Sequence, residues 1–119
     1  TKNAPAPIGP YNQATKANNT LYISGQIPAD PATGVIVTSS IEDETHMVMK
    51  NLGAILKAAG LGFDSVLKTS IFISDMNNFA RINEVYGSYF ASDFPARETV
   101  QVSRLPKDVN VEISAIATF

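Results

Sequence analysis

Cysteine is absent from all 119 residues. Disulfides, thiolate nucleophiles and sulfur metal sites are thereby excluded, and the composition fits a reducing compartment, so the expected location is cytoplasmic. Histidine is nearly as scarce. His46 stands alone, so neither a two-histidine metal site nor a histidine acid–base pair can be assembled within one chain, and no metal is expected. Its place on a predicted helix, four residues from Glu42, suits a structural or solvated role. Gly25, Gly34, Gly60 and Gly62 form no phosphate-cradling fingerprint. Ser24-Gly25-Gln26 lacks the frame of a nucleophile elbow. Apolar runs of only a few residues fall far short of a membrane span. The amino terminus has neither a signal-type apolar stretch nor an Arg-rich presequence. The chain starts at Thr1 rather than at Met, which reads as trimming and leaves a removed targeting segment open. Charged residues make up only 17%, with a net charge of -2, so there is no electrostatic footprint of a general nucleic-acid binder. With no internal repeat, low-complexity tract or linker, residues 1–119 read as one domain.

What is present is an ordinary globular balance, 45% hydrophobic, arranged in clear periodicities. Pro5, Pro7, Gly9 and Pro10 make an extended arm leading to Tyr11. Tyr11 to Lys16 and Leu21 to Ser24 alternate as strands, with Asn18-Asn19 as the turn between them. Gly25 then marks a bulge or a close backbone approach. A loop punctuated by Pro28, Pro31 and Gly34 contains a short extended piece, Val35 to Val37. Ser40 with Asp43, or Ser39 with Glu42, opens a helix whose buried stripe is Val48, Leu52, Ile55, Leu56 and Ala59, closed by Gly60-Leu61. Val66 to Ser74 is a further strand. Asp75 to Asn78 then caps a second helix carrying Phe79, Ile82, Tyr86, Tyr89 and Phe90 on one face.

The last quarter alternates again. Arg97, Thr99, Gln101 and Ser103 share one parity, Val100 and Val102 the other. Val109, Val111, Ile113, Ala115 and Ala117 form the apolar parity of the closing strand, opposite Glu112. If these two strands pair as a hairpin around Leu105-Pro106-Lys107-Asp108, the faces bearing Arg97 and Glu112 coincide. Arginine's planar fork matches a carboxylate bidentately, and a fixed carboxylate can carry a proton. A plain ion pair at a surface or an interface fits the same parity. Tyr11 fits a core edge as well as a pocket wall, and Asn83 fits a helix boundary. The order strand, strand, helix, strand, helix, strand, strand supplies helices for one sheet face. Ile71-Phe72-Ile73 and Ile116 place apolar groups on the other as well, which points to a symmetric oligomer with sheets packed inward.

Six blocks occur in register: Ile8-Gly9-Pro10-Tyr11, Ser24-Gly25-Gln26-Ile27-Pro28, Ala58-Ala59-Gly60, Phe79-Ala80-Arg81-Ile82-Asn83, Phe94-Pro95-Ala96-Arg97 and Arg104-Leu105-Pro106-Lys107-Asp108. Together they resemble the reactive intermediate deaminase family, RidA/YjgF, also labelled L-PSP endoribonucleases or translation inhibitors. The resemblance implies an α+β, chorismate-mutase-like fold, a mixed sheet backed by two helices, closing into a homotrimer with sites at subunit interfaces. It implies cofactor-independent hydrolysis of enamines and imines of the 2-aminoacrylate and 2-iminobutanoate type to 2-oxo acids and ammonia. Arg97 would hold the substrate carboxylate, and Glu112 would position or activate water. Tyr11, Ser24 and Asn83 would line the pocket. Thr99, among the substrate-binding positions, falls where archetypal members often have cysteine, and Gln101 where glutamate is common. An RNA-directed activity, or a non-catalytic trimer that binds a small carboxylate in a regulatory or chaperone-like role, are the alternatives.

Overall fold

The computed structural model describes residues 1–119. Asn18 adopts φ 53°, a left-handed conformation asparagine tolerates, and closes the turn between β1 (Ala14–Ala17) and β2 (Thr20–Gln26). The first strand is shorter than the expected Tyr11 to Lys16. The Tyr11 amide bonds to Gly9 O at 2.9 Å, a tight local turn that keeps Tyr11 out of the ladder.

The helix α1 (Ile41–Ala58) starts as its sequence dictates. Ser40 Oγ accepts from the Asp43 amide at 3.0 Å, and Ser39 Oγ donates to the Asp43 carboxylate at 2.6 Å. At the far end Gly60 takes φ 77°, with Gly60 N bonded to Lys57 O and Leu61 N to Leu56 O, a Schellman closure. Val48, Met49, Leu52, Ile55 and Leu56 are buried against the sheet. The expected extended piece at Val35 to Val37 is a single bridge between Ala29 and Ile36. Asn51, buried on α1, holds that loop by donating to Ile27 O and Ala29 O.

β3 (Val66–Ile73) is followed by α2 (Phe79–Gly87) and β4 (Ala96–Gln101), and β5 (Val111–Thr118) ends the chain. The sheet order is β1-β2-β5-β3-β4, with β4 parallel to β3 and every other pair antiparallel. The expected terminal hairpin does not form. β3 lies between β4 and β5, and the connection from β4 crosses the end of β3, where Val102 N bonds to Ile73 O and Ser74 N to Asn110 O. Alternation identifies a strand and its two faces but not its neighbours, so the short link looked like a hairpin turn.

The two faces differ in cover. Leu21, Ile23, Ile71, Ile73, Val111, Ile113, Ala115 and Ala117 form the core beneath the helices. The opposite face carries Tyr22, Ile116, Phe72 and Val100 beside Lys68, Ser70, Glu98 and Ser114. Tyr22 is 48% and Val100 42% exposed there, so no element of the chain covers this face. No helix is long and apolar enough to cross a membrane.

Candidate functional site

Arg97 enters on the second residue of the edge strand β4, in register with Thr69 of β3, which is itself in register with Ala115 of β5. Residues opposite one another across a sheet share a face, so Arg97 lies on the helix-covered side. Its Nη1 donates to Asn83 Oδ1 of α2 at 2.7 Å. The guanidinium carbon sits 5.2 Å from the Tyr86 ring centroid and 5.6 Å from that of Phe79, within cation–π range. Tyr86 is buried and bonded through its hydroxyl to Thr69 Oγ1 at 2.8 Å. Burial pushes the Tyr86 phenol up, opposed by the Thr69 hydrogen bond and the Arg97 charge. Arg97 has no carboxylate of its own chain within ion-pair distance; the three ion pairs are Lys68–Glu98, Arg81–Glu42 and Arg104–Asp108. Two residues along β4, on the same side, Thr99 Oγ1 is buried with no hydrogen-bond partner. Leaving such a hydroxyl unmatched costs about 1–3 kcal/mol.

Glu112 sits in β5 in register with Phe72, and therefore on the uncovered face. It is half-buried, its carboxylate makes no hydrogen bond or ion pair, and burial raises its carboxyl above the usual range. Its side chain lies against Gly25, where the β2–β5 register is irregular between Ile23 and Gln26. Gly25, expected to mark a bulge or a close backbone approach, lies in that irregular stretch, and the group that approaches it is a side chain: a Cβ there would fall 2.9 Å from Glu112 Cδ. Ser24, next to Gly25, donates from Oγ to Asn12 O at 2.6 Å, and its amide bonds to Gln13 O. These bonds tie the segment after Tyr11 to β2. The Tyr11 hydroxyl accepts from the Ile8 amide at 3.2 Å, and its ring lines a cavity of about 320 Å³ with Gly25, Gln26, Ile27 and Lys107. Neither Arg97, Asn83 nor Glu112 lines that cavity.

The six candidate residues thus fall into two sets. Asn83, Arg97 and Thr99 gather around α2 and β4, while Tyr11, Ser24 and Glu112 gather around the irregular stretch of β2. The expectation that Arg97 and Glu112 share a polar face within one chain is overturned. β3 separates their strands, and their side chains leave opposite faces. Two strand spacings put them about 10 Å apart across the sheet, before the opposed side-chain directions add to it. Phe79 and Tyr86, read as apolar helix-face residues, also form the aromatic ground beneath the guanidinium. Their helical spacing from Asn83 was the available signal. His46, expected to be structural or solvated, makes a structural contact, with Nδ1 2.8 Å from the Tyr89 hydroxyl.

A mixed five-stranded sheet with two helices on one face defines a small α+β protein, with Arg97 and Glu112 each free of an ion-pair partner on opposite faces. Across residues 1–119 the chain matches the family model described as endoribonuclease L-PSP. It is 57% identical over 117 residues to a RutC family protein of Pyrococcus horikoshii, an alignment covering 98% of this chain and 93% of that one. It is 48% identical over 117 residues to human 2-iminobutanoate/2-iminopropanoate deaminase, covering 98% and 85%. The crystal structure of E. coli TdcF with bound serine matches with a TM-score of 0.96 at 44% identity, covering 100% of this chain and 94% of that one. The chain belongs to the endoribonuclease L-PSP family, whose members also carry the RutC and RidA names.

Proposed function

We propose that this protein hydrolyses reactive imines of the 2-iminobutanoate type to 2-oxo acids and ammonia, without a cofactor, at sites shared between protomers of a homotrimer. The observation that carries this reading is the division of the candidate site. Arg97 and Glu112 each lack a charged partner, and they leave opposite faces of one sheet. Only a neighbouring copy can bring one protomer's guanidinium and another's carboxylate to the same small molecule. The uncovered face with Tyr22, Phe72, Val100 and Ile116 gives such copies an apolar surface on which to pack. The names of the human and plant relatives support the same chemistry.

In this reading Arg97, steadied by Asn83, grips the substrate carboxylate. Water adds to the adjacent C=N carbon while Glu112 takes its proton. The resulting carbinolamine receives a proton on nitrogen from the same carboxyl, the C–N bond breaks, and the hydroxyl passes its proton to the departing ammonia as the carbonyl forms, so ammonium leaves and Glu112 is again a carboxylate. A carboxyl whose pKa is raised is suited to both transfers. The iminium is already electrophilic, so orientation supplies most of the remaining acceleration.

The test uses freshly generated 2-iminobutanoate, with ammonia release followed by a coupled assay. Arg97→Ala should lose about 2–5 kcal/mol of transition-state binding. Separately inactive Arg97→Ala and Glu112→Gln proteins, unfolded and refolded together, should regain activity at about a quarter of sites, since each site draws on two protomers. No recovery in mixed assemblies of confirmed composition would exclude a shared site. Binding of a 2-oxo acid without ammonia release would replace the enzyme with a carboxylate-binding protein. RNA cleavage with no acceleration of imine hydrolysis would overturn the reading altogether.

A further inference from the structure

Glu44 lies in the first turn of α1 and is only 2% exposed, a buried carboxylate with no cation beside it. Ionised carboxylates are rarely buried unless their oxygens are matched. Here a single residue 66 positions away matches both. The Asn110 amide N–H donates to Glu44 Oε1 at 3.1 Å, and Asn110 Nδ2 donates to Oε2 at 2.8 Å. Asn110 is held on its other side by Ser74. Its Oδ1 accepts from Ser74 Oγ at 2.8 Å, and its carbonyl accepts from the Ser74 amide at 3.2 Å. Ser74 directly follows β3, and Asn110 directly precedes β5. The three residues therefore tie α1, the end of β3 and the start of β5 together, where the chain returning from β4 crosses over β3.

Two residues beyond Asn110 is Glu112. Side chains alternate along a strand, and a slip of one residue would turn Glu112 to the other face, away from Gly25. We propose that Glu44, Asn110 and Ser74 form a clamp that fixes the register of β5 and so positions the Glu112 carboxylate. Glu44 is then a positioning residue: it touches no substrate, and its effect reaches the reaction through Asn110 and the strand. This inference rests on the proposed role of Glu112, and it extends that role to residues with no place in the site.

Three variants of the whole chain test it. In Glu44→Gln one oxygen becomes an NH₂ donor that meets the NH₂ of Asn110, so one of the two bonds is lost. In Asn110→Asp two carboxylates face each other. The double variant Glu44→Gln/Asn110→Asp restores every bond, with donor and acceptor exchanged in the side-chain pair alone. The new side-chain amide on α1 donates to the new carboxylate before β5, whose backbone N–H still donates to the amide oxygen opposite. Ser74 Oγ donates to the remaining carboxylate oxygen.

Each single variant should lower kcat on 2-iminobutanoate by about 10- to 100-fold, as misplacing a reacting group does, with KM held by Arg97 and little changed. The double variant should recover kcat. The second readout is independent of turnover: NMR titration of the Glu112 carboxyl should move toward an ordinary glutamate in the single variants and return in the double. Folded single variants with wild-type kcat and unchanged Glu112 titration would overturn the clamp. So would a loss of thermal stability alone. A wild-type protein that leaves imines unaccelerated would sink the proposed reaction instead, and the Glu112 titration would still decide the clamp.

Discussion

Gly25 and Glu112 are in contact across the β2–β5 pair, so closely that a Cβ on Gly25 would lie 2.9 Å from Glu112 Cδ, 3.1 Å from Cγ and 3.2 Å from Oε1. The obstruction is the flexible end of a side chain rather than backbone, so alanine there can be accommodated by moving the carboxylate. Gly25→Ala should therefore cost less than about 1 kcal/mol of stability while reducing kcat by about tenfold or more, since the reacting group is displaced. Thermal denaturation beside steady-state kinetics checks the split. Equal activity at equal stability would show that the close approach has no bearing on the reaction.

The pH dependence follows from the burial of Glu112, which raises its carboxyl above the ordinary 4.5. Across the interval between that ordinary value and the raised one, the folded state binds more protons than the unfolded state. Stability therefore falls as pH rises through this window, and the group is penalised at neutral pH. Glu112→Gln removes the penalty. It should be at least as stable as the parent at pH 7, with the difference shrinking as pH drops toward 4. The same titration gives the parent an acidic limb in kcat, with its midpoint above that of a free glutamate. A glutamine variant less stable than the parent at pH 7 would contradict the assignment.

The elements were legible in the sequence because each has a local cause. Ser40 caps α1, Gly60 closes it, Asn18 turns β1 into β2, and the buried parity of β5 from Val111 to Ala117 can be counted directly. The partition of the site was not legible. It depends on β5 entering between β2 and β3, a choice made by long-range packing and by the bonds of Glu44 and Ser74 to Asn110. No local pattern encodes it. Arg97, Thr99 and Gln101 even invert the usual inference, since these polar residues occupy the helix-covered side of β4 while Val100 faces outward. On an edge strand meeting the polar Asn83, polarity does not report exposure.

Asn83 discriminates between holding Arg97 and neutralising it. Its Oδ1 accepts one guanidinium hydrogen bond at 2.7 Å and leaves the charge free. Asn83→Ala removes the steadying contact and should raise KM several-fold, with a smaller effect on kcat. Asn83→Asp supplies a carboxylate in the place reserved for the substrate's, and a bidentate ion pair would compete with binding. KM should therefore rise further in the aspartate variant than in the alanine variant, and added salt should narrow the gap by screening the new pair. The reverse order of KM values would mean that Arg97 does not meet the substrate carboxylate.

Thr69 and Tyr86 form the buried support beneath Arg97, joined by a 2.8 Å hydroxyl pair. Thr69→Val keeps the shape but leaves the Tyr86 hydroxyl without its partner, at a cost of about 1–3 kcal/mol. The melting temperature should fall by at least a few degrees. Tyr86→Phe leaves the Thr69 hydroxyl orphaned and should cost a similar amount. The double variant Thr69→Val/Tyr86→Phe removes both polar atoms, so its loss should be smaller than the sum of the two single losses. That non-additivity, measured as a double-mutant cycle in thermal or urea denaturation, isolates the bond from the packing around it. Strict additivity would show that the two hydroxyls contribute independently, and the support under the guanidinium would then rest on the aromatic ring alone.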